Sequence, residues 1–228
     1  QLESLLLAHL ERGDPALADW VRTACSFPNT MVDRIVPATT EADLSSAETA
    51  LGQRDEGHVG TEAFSQWVIE DRFAGPRPRL EDHGVQLVSD VAPYETAKLR
   101  MLNGAHSLMA YCGLARGHEY VHQAIADPVI RSLVSRLMLE EAAPTIAAAS
   151  DQDLAGYAAA LIERFANPAL NHRLLQIAMD GSQKIPQRWL ETLAANQQIG
   201  RECPAILQGI AAWLVHVRGD ARPVDDPL

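Results

Sequence analysis

Lysine is nearly absent from these 228 residues: of 19 basic side chains only Lys98 and Lys184 are lysines, and arginine supplies every other cationic position. Arginine keeps its proton at any working pH, whereas a desolvated lysine can give its proton up and act as a base. The scarcity therefore marks two positions that composition alone does not explain. Basic charge is short overall as well. With 30 acidic residues the net charge is -11, which argues against the basic surface that a nucleic-acid partner requires. Cysteine is sparse too: Cys25, Cys112 and Cys203 are odd in number, widely spaced and form no CxxC pair. That pattern argues against a disulfide framework or a zinc site and for reduced thiols in the cytoplasm. No run of about 18 apolar residues could span a membrane, and the start lacks the charged region, apolar stretch and cleavage site of a secretory leader. GxGxxG, GxxxxGK[ST], HExxH and GxSxG are all missing, so nucleotide-loop, zinc-protease and serine-hydrolase readings find no support.

The apolar fraction of 47% is that of a globular protein. The chain opens on Gln1 without a Met, and Leu2, Leu5, Leu6 and Leu10 already follow helical spacing, so a fragment starting inside an element is expected. Residues 1–24 read as two helices broken at Gly13-Asp14-Pro15, with Asp14 as N-cap and Pro15 in the first helical position. Residues 26–37 read as a loop and short segment bracketed by Pro28 and Pro37. Residues 41–57 form a short polar helix and a loop. The stretches 64–70 and 85–88 have strand character and are expected to pair.

From Pro93 the pattern is helical almost to the end. Helices are expected over 94–115, interrupted near Gly113, and over 120–139, with Pro128 near a start or break. Further helices are expected over 151–166, 169–180, 186–197 and 204–217. The charged, proline-bearing tail 219–228 is expected to be loose. The fold class is mainly α, multi-helical, with a small β-strand pair.

The rest of the chain is organised around residues 93–106. At roughly 100° per residue, Asn103 lies about 140° and His106 about 80° around a helix from Lys98, with Leu99 and Leu102 largely on the other side. Lys98 sits two turns below His106, a gap a long lysine side chain can narrow. An ammonium, an amide and an imidazole can therefore converge on one small polar ligand. The alternative is a solvated helix lysine and a core histidine.

Three separated blocks carry a resemblance. Residues 26–37 (SFPNTMVDRIVP) resemble the signature of the mannitol dehydrogenase family, the polyol-specific long-chain dehydrogenases and reductases. Lys-x4-Asn-x2-His over 98–106 is similar to that family's catalytic helix. Residues 176–188 (QIAMDGSQKIPQR) resemble its fructuronate reductase, or mannonate oxidoreductase, branch.

The resemblance implies a two-domain enzyme whose N-terminal Rossmann-type domain binds NAD and whose helical C-terminal domain supplies catalysis. In that frame residues 1–24 lead in from a missing Rossmann domain, 25–218 form the substrate-binding domain, and 219–228 are its tail. The implied activity is NAD-dependent interconversion of a keto sugar acid and its polyol acid, fructuronate and mannonate, with no metal. A neutral polyol dehydrogenase (mannitol, arabinitol) and a non-catalytic helical interaction module are the alternatives. The resemblance makes Lys98 the acid/base and Asn103 and His106 the groups that stabilise charge on the reacting oxygen. Asp33 is expected to accept from sugar hydroxyls, or else to pair with Arg34. Arg173 is expected to grip a carboxylate, or else to be a solvated helix arginine. Lys184 is expected to contact the carboxyl end of the substrate, or else to neutralise Asp180 at a helix junction. The residues that bind the cofactor stay unassigned.

Overall fold

Asp14 ends one helix and starts the next. In the computed structural model, which describes residues 2–220 and 224–227, the Asp14 carboxylate accepts from the Leu17 N–H at 3.0 Å. With Pro15 in the first helical position, this separates α1 (Leu2–Gly13) from α2 (Pro15–Ala24). The chain divides into two units, residues up to Asp33 with Ser65–Ala92, and Arg34–Phe64 with the residues from Pro93 on. A helical domain opening at residue 25 was the expectation. In this division residues 25–33 and 65–92 fall with the leading helices, and β1, β2 and β3 pair with one another inside that unit.

In the first unit the expected strand pair is a three-stranded sheet in the order β1 (Thr30–Asp33), β2 (Gln66–Glu70), β3 (Gln86–Val88). β1 and β2 are antiparallel, in register from Thr30 opposite Ile69 to Asp33 opposite Gln66. β2 and β3 are parallel, from Val68 opposite Gln86 to Glu70 opposite Val88. The extra strand is β1, whose four residues fit between Pro28 and Pro37 as an edge strand. Met31 and Asp33 face inward while Thr30 and Val32 face out. Glu70, buried next to it, accepts from the Asn29 N–H and side-chain amide, each at 3.0 Å.

The second unit starts with α3 (Glu41–Leu51), opened by a reciprocal Thr40–Asp43 capping box. α4 (Ala92–Ala97) runs through a wide, π-type turn at Lys98–Asn103 into α5 (Gly104–Ala115). Every residue of α5 from Gly104 to Leu114 is buried, as suits a helix apolar on all sides. Packed around it are α6 (Val121–Ala126), α7 (Pro128–Arg136), α9 (Leu174–Ala178) and α12 (Pro204–Val217), while α8 (Leu154–Phe165) lies against α6. The interruption expected near Gly113 does not occur. Helix α5 continues because a bare Cα there admits its neighbours: a Cβ would lie 2.7 Å from Leu174 Cδ1 and 3.1 Å from Ala124 Cβ.

α10 (Gly181–Ile185) continues through a second wide turn, Pro186–Leu190, into α11 (Glu191–Gln198). A third wide turn, Leu137–Ala142, presents the buried Glu141 carboxylate to the N–H groups of Ala205 (2.7 Å) and Ile206 (2.9 Å), capping α12. The helix expected over 169–180 shrinks to α9: Arg173, extended and bridged to Tyr120, stands at its start, and Met179 (ψ 149°) followed by the left-handed Asp180 (φ 53°) ends it. The tail expected to be loose is held where it is described. Asp226 accepts from the Ser182 N–H at 2.9 Å and from the Ser182 hydroxyl, and the Asp180 N–H donates to the Asp225 carbonyl at 3.0 Å. Unsatisfied N–H groups at the start of α10 recruit those acidic residues. Residues 221–223 and 228 of that tail, like Gln1, lie outside the described residues.

No helix among the described residues is long and apolar enough to cross a membrane, and the three cysteines are free.

Candidate functional site

Lys98, Asn103 and His106 sit where the wide turn meets α5. The turn is closed by a bond from the Gly104 N–H back to the Leu99 carbonyl, an i→i+5 link. On a uniform α-helix Lys98 and Asn103 would stand about 140° apart, whereas a π-type turn, with about 4.4 residues, narrows the angle between positions five apart to roughly 50°. His106 follows Asn103 by one α-turn on the same side. The shared face is thus tighter than regular helical spacing allows. Lys98 and Asn103 are half-buried and His106 is buried.

His106 is packed by rings. Phe165 lies 4.9 Å away between centroids, and His172 approaches edge-on at 5.1 Å. The Nε2 atom is buried with no hydrogen-bond partner among the described residues. Burial, reinforced by the charges of His172, Arg188 and Arg164, holds the His106 pKa well below the ordinary imidazole range. His106 is therefore a neutral imidazole at neutral pH, able to donate one hydrogen bond and accept another. Burial likewise lowers His172 to about 4.

Two residues of the Pro186–Leu190 turn grip the same stretch of α5 from the side. Arg188 Nη1 donates to Ser107 Oγ at 2.8 Å and to the Asn103 carbonyl at 3.4 Å. Trp189, fully buried, donates from Nε1 to the Gly104 carbonyl at 3.1 Å. Behind His106, Arg164 forms a bidentate pair with Glu62 (2.9 and 2.8 Å) and stacks 4.0 Å over the Phe64 ring. Glu62 also accepts from the Ile35 N–H at 2.6 Å. Ile35, Arg164, Asn167 and Leu170 join the two histidines around a cavity of about 10 Å³.

The other residues singled out from the sequence are placed differently. Asp33 belongs to the first unit, at the end of β1, 1% exposed and opposite Gln66. Arg34 gives its guanidinium to the Glu62 carbonyl, at 3.1 and 2.9 Å, rather than to a carboxylate. Arg173 is exposed, with its guanidinium 5.9 Å over the Tyr120 ring. Its neighbour His172, not Arg173 itself, reaches His106. Lys184 Nζ donates to the Met179 carbonyl at 2.5 Å and lies 4.0 Å from the Asp180 carboxylate, the helix-junction arrangement. Sequence reasoning missed Arg188 as a site residue, although it stands four residues beyond Lys184 in the third block.

No strand among the described residues is followed by a glycine-rich turn into a helix, so these residues do not fit the pyrophosphate of a dinucleotide. No three His, Cys, Asp or Glu side chains among them are placed to hold a metal ion.

A helical domain with a polar triad on one buried helix, joined to a small sheet unit, defines a class that comparison with known proteins resolves. Residues 90–227 match the mannitol dehydrogenase C-terminal domain, and residues 2–82 match the mannitol dehydrogenase Rossmann domain. The chain belongs to the mannitol dehydrogenase family. It is 45% identical to D-mannonate oxidoreductase of Escherichia coli (strain K12) over 94% of this chain and 45% of that protein. It is 38% identical to mannitol 2-dehydrogenase of Phaeosphaeria nodorum over 99% of this chain and 41% of that protein. Among solved structures, the ternary complex of Pseudomonas fluorescens mannitol 2-dehydrogenase with NAD and D-mannitol superposes with a TM-score of 0.87. That structure is 34% identical, across 99% of this chain and 47% of that one. A substrate-free D-sorbitol dehydrogenase gives a TM-score of 0.84 at 38% identity, across 93% and 44%. The chain spans about half the length of the curated relatives it matches.

Proposed function

We propose that the whole protein is an NAD-dependent oxidoreductase interconverting a keto sugar acid and its polyol acid, of the fructuronate and mannonate type, in the cytoplasm. The reading is supported by the wide turn that spans Lys98 to Asn103 and by the buried, neutral His106 three residues further on. The 45% identity to a D-mannonate oxidoreductase supports the choice of substrate. The partners are a small-molecule substrate and a Rossmann-type domain of the same protein. Because the described residues do not fit the dinucleotide, its phosphates are assigned to residues outside them.

Nicotinamide, when bound, supplies or accepts the hydride; what this chain's residues do is handle the proton and the charge. In the oxidation direction Lys98 takes the hydroxyl proton, and in reduction it returns one. Asn103 donates from its side-chain amide to the reacting oxygen. His106, neutral because it is buried among cationic neighbours, donates to the same oxygen without becoming a competing proton source. The ring packing of Phe165 and His172 fixes its aim. These roles need second-unit residues only.

Oxidation of NADH by the full-length protein, with fructuronate and fructose offered side by side, tests the substrate class. Preference for fructuronate upholds the reading. Preference for fructose favours the second reading, a neutral polyol dehydrogenase, which the mannitol and sorbitol dehydrogenase matches motivate. Activity with neither leaves the interaction-module reading standing. Lys98→Ala is expected to lower turnover by roughly 10²-fold or more, the usual scale for a positioned acid/base; turnover within threefold of wild type sinks the assignment.

A further inference from the structure

Most of the guanidinium groups near the site have a described partner that explains them: Arg164 faces Glu62, Arg34 the Glu62 carbonyl, Arg100 the Thr145 and Glu191 oxygens. Arg188 does not follow suit. It is half-buried, and among the described residues no carboxylate bonds to it. Only its Nη1 is engaged, by Ser107 Oγ and the Asn103 carbonyl, so Nε and Nη2 bond to no described residue. Burying a cation without a counter-charge is costly, and proteins as a rule pair such a charge. An arginine tethered through one terminal nitrogen still presents its Nε–Nη2 edge, which matches the two oxygens of a carboxylate. The tether fixes where that edge lies: beside the Asn103 carbonyl, at the end of the wide turn, and Ser107, the residue after His106 on α5. Lys184, one turn before it, adds to the positive potential.

We infer that Arg188 is a specificity-determining residue that binds the substrate's carboxylate through its Nε–Nη2 edge. The inference rests on the sugar-acid reading above and replaces Arg173 and Lys184 as the principal carboxylate contacts, since Arg173 lies over Tyr120 and Lys184 is held by Met179 and Asp180. A sugar acid has its carboxylate and its reacting carbon at opposite ends of a short chain, so an anchor beside Asn103 and Ser107 sets which carbon meets Lys98 and His106.

Calorimetric titration of the full-length protein, with NADH present, using gluconate as an acid probe and sorbitol as its neutral counterpart, tests the inference without relying on turnover. Wild type is expected to prefer gluconate, and Arg188→Gln to cut the gluconate-to-sorbitol affinity ratio roughly 100-fold, the scale of a lost bidentate charged pair. Arg188→Lys should recover part of the ratio. An unchanged ratio in Arg188→Gln overturns the inference, as does a wild type with no preference for gluconate. Loss of both ligands in proportion would make Arg188 a helix clamp only. If Arg188→Gln does not fold, Ser107→Ala, which frees the guanidinium from its tether, should lower the ratio about 10-fold, and an unchanged ratio there refutes the inference. A preference for gluconate that depends on Arg188, in a protein that fails to reduce fructuronate, would leave the anchor standing and refute the proposed reaction.

Discussion

The Glu62–Arg164 pair offers the sharpest test of how the second unit is held together. Both side chains are almost fully enclosed, with 4% and 7% of their surface exposed, and the carboxylate takes both guanidinium bonds besides the Ile35 N–H. Removing one member leaves the other charged and enclosed, which costs about 3–5 kcal/mol. For a chain of this size each kcal/mol moves the Tm by about 2–4 °C, so Glu62→Leu and Arg164→Met should each lower it by roughly 6–20 °C. Glu62→Leu should be the worse of the two, because it also strands the Ile35 N–H at about 1 kcal/mol. The double variant removes both charges together and should be more stable than the sum of the singles predicts, by at least about 2 kcal/mol. Thermal and urea melts of the four proteins complete the cycle. Single variants costing under about 1 kcal/mol, or a double equal to the sum, would show that water already reaches the pair and that the enclosure argument is wrong.

Gly113→Ala should destabilise by about 1–2 kcal/mol, even though alanine is the better helix former by about 1 kcal/mol, because the new Cβ meets Leu174 and Ala124; a rise in Tm would contradict the close approach. His172 ordinarily titrates near 6.5 and is lowered to about 4 by burial, and His106 is lowered in the same direction. Below 6.5 the unfolded chain takes up protons that the folded one refuses. Stability is therefore full above 6.5 and falls as pH drops toward 4, by up to about 1.4 kcal/mol per pH unit for each group. His172→Phe should flatten that slope in melts run across this range, and an unaltered slope would exclude His172 as its source.

Elements with local punctuation were legible in the sequence. Asp14-Pro15 gave away α2, Asp153 opens α8 by accepting from the Gly156 N–H at 2.9 Å, and α12 spans 204–217 as its apolar run suggests. Features that depend on a partner were not. β1 has four residues between two prolines and becomes a strand only through its ladder with β2. The break between α9 and α10 comes from Met179 and the left-handed Asp180, neither of them a residue type that forces a turn. In the site, Lys98, Asn103 and His106 stood out by residue type and spacing, and the resemblance gave them roles. The choice of neighbours did not stand out: His172 rather than Arg173 touches His106, and Arg188 rather than Lys184 reaches Asn103. Such contacts are made by packing between helices far apart in the chain, which no local pattern encodes.

The wide turn at Lys98–Asn103 is in effect one surplus residue in an otherwise regular helix. Deleting any one residue between Leu99 and Leu102 would leave a smoother helix of unchanged chemistry at every named site position. Because the wide turn takes up its extra residue locally, the cut would place the lysine and the asparagine four apart on a regular helix, about 40° from each other, and the shared face would survive. The spacing and the turn thus cancel: a surplus residue without the wide turn, or the turn without the residue, would part side chains that the two together keep on one face.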